Sequence, residues 1–226
     1  MAPRAILLDA LGTLLAIDDP VARLLVQLRE RHAIEVAPEQ AALALRAEMS
    51  HYREHCVQAS DAERLHALRL DCAAIVGREL GGAAAALEPA ALLPTLLASL
   101  RFVPYADVLP ALERWRAAGA RLVVASNWDV SLHQVLRESG LAEHLDAVAT
   151  SAEVGASKPS GELFAAALAL AGVDARQAVH VGDSFGEDVE GARAAGIEAV
   201  WLRRDRQDGT APTAAGVRVI TTLEDF

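Results

Sequence analysis

Three short, mostly apolar runs, Ala5-Ile6-Leu7-Leu8, Arg121-Leu122-Val123-Val124-Ala125 and Ala178-Val179-His180-Val181, each stop at polar chemistry: Asp9, Ser126-Asn127 and Gly182-Asp183. A continuous apolar run of this length predicts a strand buried on both faces, as in a parallel sheet. Open α/β sheets carry their chemistry at the carboxyl edge of such strands. The three polar groups are therefore expected to converge at one edge, although they are far apart in sequence. Asp9 alone would suit a helix cap or a turn equally well; its company decides the reading.

After Tyr105 the chain alternates helix and strand. Helices are expected over Asp107–Ala118, Val130–Ser139, Glu162–Ala171 and Asp188–Ala195. Strands are expected at 121–125, 146–149, 178–181, 199–202 and 217–220, with one long loop, Arg203–Gly216. Such alternation demands a parallel sheet covered on both faces, with right-handed crossovers. The stretch after Thr13 is different. Asp18-Asp19-Pro20 opens a helix to Ala33, Pro38 starts a second within Ala37–Ala59, Ser60-Asp61-Ala62-Glu63 resembles a capping box for a third ending at Leu80, and Glu88-Pro89 starts a fourth, with Pro94 inside it. Four helices in succession predict a bundle. The expected organisation is a Rossmann-like α/β core, residues 1–16 and 103–226, with an inserted four-helix cap, residues 17–102. No internal repeat is detected, and the run Ala83–Ala86 reads as packing.

With 226 residues, 53% of them hydrophobic, the chain can bury a full core. A net charge of -10 argues against a nucleic-acid surface, because phosphate backbones are held by Lys and Arg clusters. A small anionic substrate remains compatible if a few cations are focused in one cleft. Only Cys56 and Cys72 are present, so no disulfide framework is expected. Neither a leader nor a membrane-spanning run is expected, and a cytoplasmic monomer or homodimer is the expectation.

The chemistry follows from the edge. Asp9 and Asp183 would repel each other unless a cation lay between them, and Mg²⁺ held by carboxylates and substrate oxygen meets that need. Lys158-Pro159, in the loop after the strand near Ala149, brings an ammonium to the same edge. Ser126 and Lys158 would bind the remaining oxygens of a phosphoryl group.

These residues resemble the haloacid dehalogenase (HAD) superfamily of hydrolases: Leu8-Asp9-Ala10-Leu11-Gly12-Thr13-Leu14, Ala125-Ser126-Asn127, Lys158-Pro159, and Gly182-Asp183-Ser184 with Asp188 and Gly191–Gly196, in that order. Ser126-Asn127-Trp128-Asp129 is most similar to the REG-2-like phosphatase branch. The resemblance implies Asp9 as nucleophile, Thr13 and Ser126 as positioning hydroxyls, Asn127 beside Ser126 and Lys158 in the phosphate cradle, and Lys158 as the cation beside Asp9. Mg²⁺ would be held by Asp9, Asp183 and the Leu11 carbonyl, with Asp188 in support. The implied substrate is a small phosphorylated metabolite, with the cap closing over the cleft.

Leu11 departs from the pattern. Phosphatases of this superfamily usually carry a second Asp there as general acid and base, and such a group is worth about 10²–10⁴-fold in rate. His51, His55, Asp61 and His66 are available as substitutes, though each suits an exposed helix face. The same gap fits a 2-haloacid dehalogenase, which displaces halide from carbon without leaving-group protonation or metal. Arg46 and Arg53 are its available carboxylate-binding cations, but the retained Asp183 argues against it. A low-activity phosphate-binding protein on the same fold is a third reading. Trp128, Asp129 and Glu187 lie close enough in sequence to touch substrate or metal, and His180 reads as a satisfied buried histidine.

Overall fold

The computed structural model describes residues 3–204 and 216–226. The chain divides into two compact units, one running to Ala16 and resuming at Pro104, the other Ile17–Val103. Strand β1 (Ala5–Leu8) is wholly buried, and β2 (Leu15–Ile17) pairs with β3 (Phe102–Pro104) in a two-stranded sheet.

The second unit is helical: α1 (Pro20–His32), α2 (Pro38–His55), α3 (Ala62–Leu80), the single turn α4 (Gly82–Ala85) and α5 (Pro89–Ser99). Helix α1 starts where Asp-Asp-Pro predicts, with the Asp19 carboxylate accepting the Ala22 N–H at 3.2 Å. The cap of α3 lies one residue beyond the expected Ser60. Asp61 accepts the Arg64 N–H at 2.9 Å, so the third helical residue is Arg64 and not a glutamate, and no capping box closes. The Ala-rich stretch forms α4, and α5 continues through Pro94. Helix α1 packs on α2 and α5, and α3 packs on the same two, which closes a four-helix bundle. The buried stripe of α2 is Ala41, Ala44, Leu45 and Glu48, at the spacing of a core-facing helix. Glu48 is the exception in that stripe. It is only 4% exposed, the Cys72 thiol of α3 donates to it, and its Oε2 has no partner among the described residues. Burial pushes its carboxyl above the usual range.

The first unit continues as α6 (Val108–Ala117), β4 (Arg121–Ser126), α7 (Leu132–Glu138), β5 (Ala147–Thr150), α8 (Ser151–Val154), α9 (Gly161–Ala171), β6 (Ala178–Gly182), α10 (Gly191–Ala194), β7 (Glu198–Leu202) and β8 (Arg218–Ile220). The sheet order is β5-β4-β1-β6-β7-β8, all parallel, as the strand-helix alternation requires. Leu8 is level with Val124 on one side and Val181 on the other, so Asp9, Ser126 and Asp183 leave the sheet at one edge. Phe164 and Leu163 of α9 pack with Leu7, Val123, Val189 and Trp201. Each such side chain contributes roughly 1.5–3 kcal/mol on burial, enough in sum to hold a polar edge in place.

The helix expected from Asp188 begins earlier, as a π-helical turn at Phe185–Glu190 that passes into α10. Ser184 caps it, its hydroxyl accepting the Glu187 N–H at 3.4 Å, while Asp188 reaches back to the Ser184 N–H at 2.9 Å. Apolar periodicity does not register such side-chain anchoring, and wide turns of this kind collect at functional sites. Of the expected Arg203–Gly216 loop, residues 205–215 lie outside the described residues.

Candidate active site

Asp9 continues β1 by donating its N–H to the Val181 carbonyl at 3.0 Å, which fixes its backbone to the neighbouring strand. The chain then turns tightly. The Ala10 carbonyl accepts the N–H groups of Thr13, Leu14 and Leu15, and Gly12 adopts φ +87°. Glycine is required there twice over: the positive φ suits it, and a Cβ would collide with the Asp183 carboxylate. Leu11 lies in this turn, half-buried. Thr13 is fully buried with its Oγ1 unpartnered among the described residues.

At the strand edge the Ser126 hydroxyl donates to Asp9 Oδ1 at 3.1 Å and the Lys158 ammonium donates to the same oxygen at 2.6 Å. Both bonds land on Oδ1, leaving Oδ2 free of protein donors among the described residues. Lys158 also donates to Asp188 Oδ1 at 2.6 Å, and that oxygen receives His180 Nε2 at 2.8 Å. Asp188 Oδ2 is taken by the Ser184 N–H. A Cβ at Gly182 would overlap the Asp188 carboxyl, so the glycine is what lets this carboxylate lie against the end of β6.

The charges explain each other. Burial disfavours the Asp188 carboxylate, but Lys158 and the His180 hydrogen bond override it and hold the group well below the carboxylate range. Burial likewise opposes the Lys158 charge, and Asp188 and Asp9 outweigh it, keeping the ammonium fully charged. Asp9 is pushed up by burial and by Asp188 against the pull of Lys158. Asp183, though exposed as a residue, is pushed up to about 7 by desolvation of its carboxylate and by the charges of Asp9 and Asp188.

Ligand oxygens of Asp9, Asp183 and Asp188 all lie within 4.8 Å of one another, the one such group of three among the described residues. Three carboxylates around one ammonium are an excess of negative charge, which adds to desolvation in pushing Asp9 and Asp183 up. An oxygen-only set of this kind fits a hard divalent cation. Asp9 and Asp183 keep oxygens that such an ion could meet, whereas both Asp188 oxygens are occupied by donors.

Asn127 stands beside this group in an unexpected role. Its Oδ1 accepts the Lys158 N–H at 2.7 Å and its Nδ2 donates to the Lys158 carbonyl at 3.1 Å and to Glu187 at 3.2 Å. The amide side chain thus grips the lysine's own backbone, whose bond to Pro159 is cis. Ser151 does the same for Trp128, accepting its N–H at 3.1 Å and donating to its carbonyl at 3.2 Å. Trp128 is buried, and Asp129 accepts the Ser131 N–H at 2.6 Å, so its carboxylate helps to close a local turn. His180 has a larger part than its sequence context indicates. It is the one polar residue inside β6, and that interruption of an apolar strand is the available signal.

In the helical unit, His51 and His55 stack on one another with ring centroids 4.1 Å apart, Asp61 is spent on its cap, and His66, Arg46 and Arg53 are exposed. No helix among the described residues is long and apolar enough to cross a membrane.

The family model described as haloacid dehalogenase-like hydrolase matches residues 3–196. A relative from Thermus thermophilus, named phosphoserine phosphatase, is 36% identical over 127 residues, covering 56% of this chain and 51% of the relative. The chain's matches span between about a third and a half of the curated relatives' length. Among solved structures, a HAD phosphatase from Thermococcus onnurineus superposes with TM-score 0.66 at 25% identity, over 100% of this chain and 95% of that one. An L-2-haloacid dehalogenase from Xanthobacter autotrophicus superposes with TM-score 0.70 at 22% identity, over 100% and 96%, a likeness of fold.

Proposed function

Because the chain belongs to the haloacid dehalogenase-like hydrolases, we propose that it is a Mg²⁺-dependent phosphatase of a small phosphorylated metabolite, working through an aspartyl-phosphate on Asp9. The observation that carries the reading is the carboxylate group of Asp9, Asp183 and Asp188 beside a single buried lysine. Attack on the carbon of a haloacid needs no cation, and three clustered carboxylates would then be a cost without a use. Relatives named phosphoserine phosphatase and glyceraldehyde 3-phosphate phosphatase favour the same side.

The Asp9 carboxylate attacks phosphorus, and the bond to the ester oxygen breaks with its electron pair leaving on that oxygen. Ser126 and Lys158 hold Oδ1, so the carboxylate keeps one orientation through the step. Lys158 also faces the transferring oxygens and offsets their charge. Asp9, Asp183 and the Leu11 carbonyl would hold Mg²⁺, which when bound would neutralise more of that charge. Leu11 offers no proton, so the leaving oxygen takes one from solvent unless it leaves as a stable anion. Water then attacks the phosphorus of the acyl phosphate, phosphate departs and the Asp9 carboxylate is restored.

The same Leu11 favours the second reading, halide displacement by Asp9. Turnover of p-nitrophenyl phosphate and acetyl phosphate with and without Mg²⁺, beside chloride release from 2-chloropropionate, separates the two. Both phosphate compounds leave without needing the missing acid. Mg²⁺-dependent phosphate release that disappears in Asp9→Asn upholds the proposal; metal-independent chloride release replaces it.

A further inference from the structure

Four residues after the nucleophile, the Thr13 carbonyl receives a hydrogen bond of 2.7 Å from Arg204 Nη2, across 191 positions of sequence. Arg204 is mostly buried and tightly held. Its Nη1 donates to Asp107 Oδ2 at 2.9 Å, and its guanidinium lies over the Tyr105 ring at 3.9 Å. Asp107 Oδ2 is gripped in turn by the Thr222 hydroxyl at 2.7 Å and the Leu223 N–H at 2.8 Å. Tyr105 donates its N–H to the Leu14 carbonyl at 3.2 Å. The guanidinium is thus fixed by a carboxylate and a ring that are both anchored, its Nε is buried without a partner among the described residues, and its Nη2 is spent on the turn that carries Asp9, Leu11 and Gly12.

We infer that Arg204 is a positioning residue, holding the turn from Asp9 to Thr13 in register so that Asp9 and the Leu11 carbonyl face the phosphoryl site. The inference rests on the phosphatase reading above. The turn has little room to drift, because Gly12 lies directly against the Asp183 carboxylate. A shift at Thr13 is passed to Gly12 and from there to the carboxylate pair. Guanidinium geometry is essential: a planar fork serves two acceptors at fixed angles, and an ammonium does not. Arg204→Lys therefore keeps the attraction to Asp107 and loses the Thr13 tie. Thr222→Val removes one donor from Asp107 and leaves Arg204 in place.

The test compares Arg204→Lys, Thr222→Val and the parent in three measurements: melting temperature, steady-state kinetics with p-nitrophenyl phosphate, and amide exchange of the segment 10–15. Arg204→Lys is expected to lower kcat by about 10- to 100-fold with KM within about twofold, and to speed exchange in the segment. Thr222→Val is expected to match its melting temperature while keeping parental kcat. Should Arg204→Lys unfold, Arg204→Ala with millimolar guanidinium takes its place, and recovery of kcat by guanidinium upholds the role. Parental kcat in Arg204→Lys, no recovery by guanidinium, or equal kcat losses in Arg204→Lys and Thr222→Val overturns it. If the parent releases no phosphate at all, the phosphatase reading fails, and exchange alone decides on Arg204: faster exchange upholds the tie, parental exchange removes it.

Discussion

Asp188 and Glu48 are both buried carboxylates, one in each unit, and they have opposite fates. Asp188 is 1% exposed, with two donors on one oxygen and one on the other, and its carboxyl is held far down. Glu48 is 4% exposed, accepts a hydrogen bond from the Cys72 thiol and has an oxygen with no partner among the described residues, and its carboxyl is pushed up. Burial is nearly equal, so burial does not decide the charge. Decisive is whether an ammonium and directed N–H groups are built around the acid, because desolvation without them favours the neutral form. The α/β unit assembles that surround for its proposed chemistry, and the bundle does not.

Removing the shared cation is the strongest way to break the contrast. Lys158→Met should leave Asp9 and Asp188 buried without their counter-charge, costing about 3–5 kcal/mol in urea denaturation and abolishing phosphate release. Asp188→Asn should cost about 1–3 kcal/mol and lower kcat, read with p-nitrophenyl phosphate, by about 100-fold, since Lys158 loses one of its two anchors. Glu48→Met fills the same stripe position without a polar group and should be neutral or stabilising by about 1 kcal/mol, with kinetics unchanged.

Acidity sharpens the contrast further, with opposite signs. The contribution of Asp188, whose carboxyl is lowered, is complete above its ordinary value of 3.8 and is lost as pH falls below it. The contribution of Glu48, whose carboxyl is raised, is complete below its ordinary value of 4.5 and is lost as pH rises from there. Melting temperature against pH should therefore flatten on the acid side in Asp188→Asn and above pH 4.5 in Glu48→Gln. The smallest expected effect is Asp61→Ala, about 1 kcal/mol from the lost α3 cap, with no kinetic change.

Much of the α/β unit is legible in the sequence because β1, β4 and β6 are mostly apolar runs and each leads into a candidate site residue. Asp9, Ser126, Lys158, Asp183 and Asp188 are found together because a parallel sheet leaves them no other edge. What periodicity does not reveal is the hydrogen bonding of side chains to distant backbone. Asn127 belongs by sequence to the phosphate cradle, yet its side chain holds Lys158. His180 reads as a satisfied buried histidine, and it is buried with Nε2 on Asp188, but its Nδ1 has no partner among the described residues. The three-residue strands β2 and β3 are too short to give an alternating pattern, and the π-helical turn at Phe185 answers to Ser184 and Asp188, not to apolar spacing. Glu48 is unreadable for the opposite reason: a Glu at a stripe position looks like a solvated face until its helix is seen packed.

The sheet order has a consequence for how this chain folds. Strand β1 precedes all the others in sequence but lies between β4 and β6, so both of its hydrogen-bonding edges wait for residues beyond 120 and beyond 177. Asp9 meets Lys158 only after a separation of 149 positions has closed. Contacts so distant are slow to form, and a half-made chain exposes a fully apolar strand with two open edges. During synthesis, the segment that carries Asp9 is therefore the one most in need of shelter from aggregation.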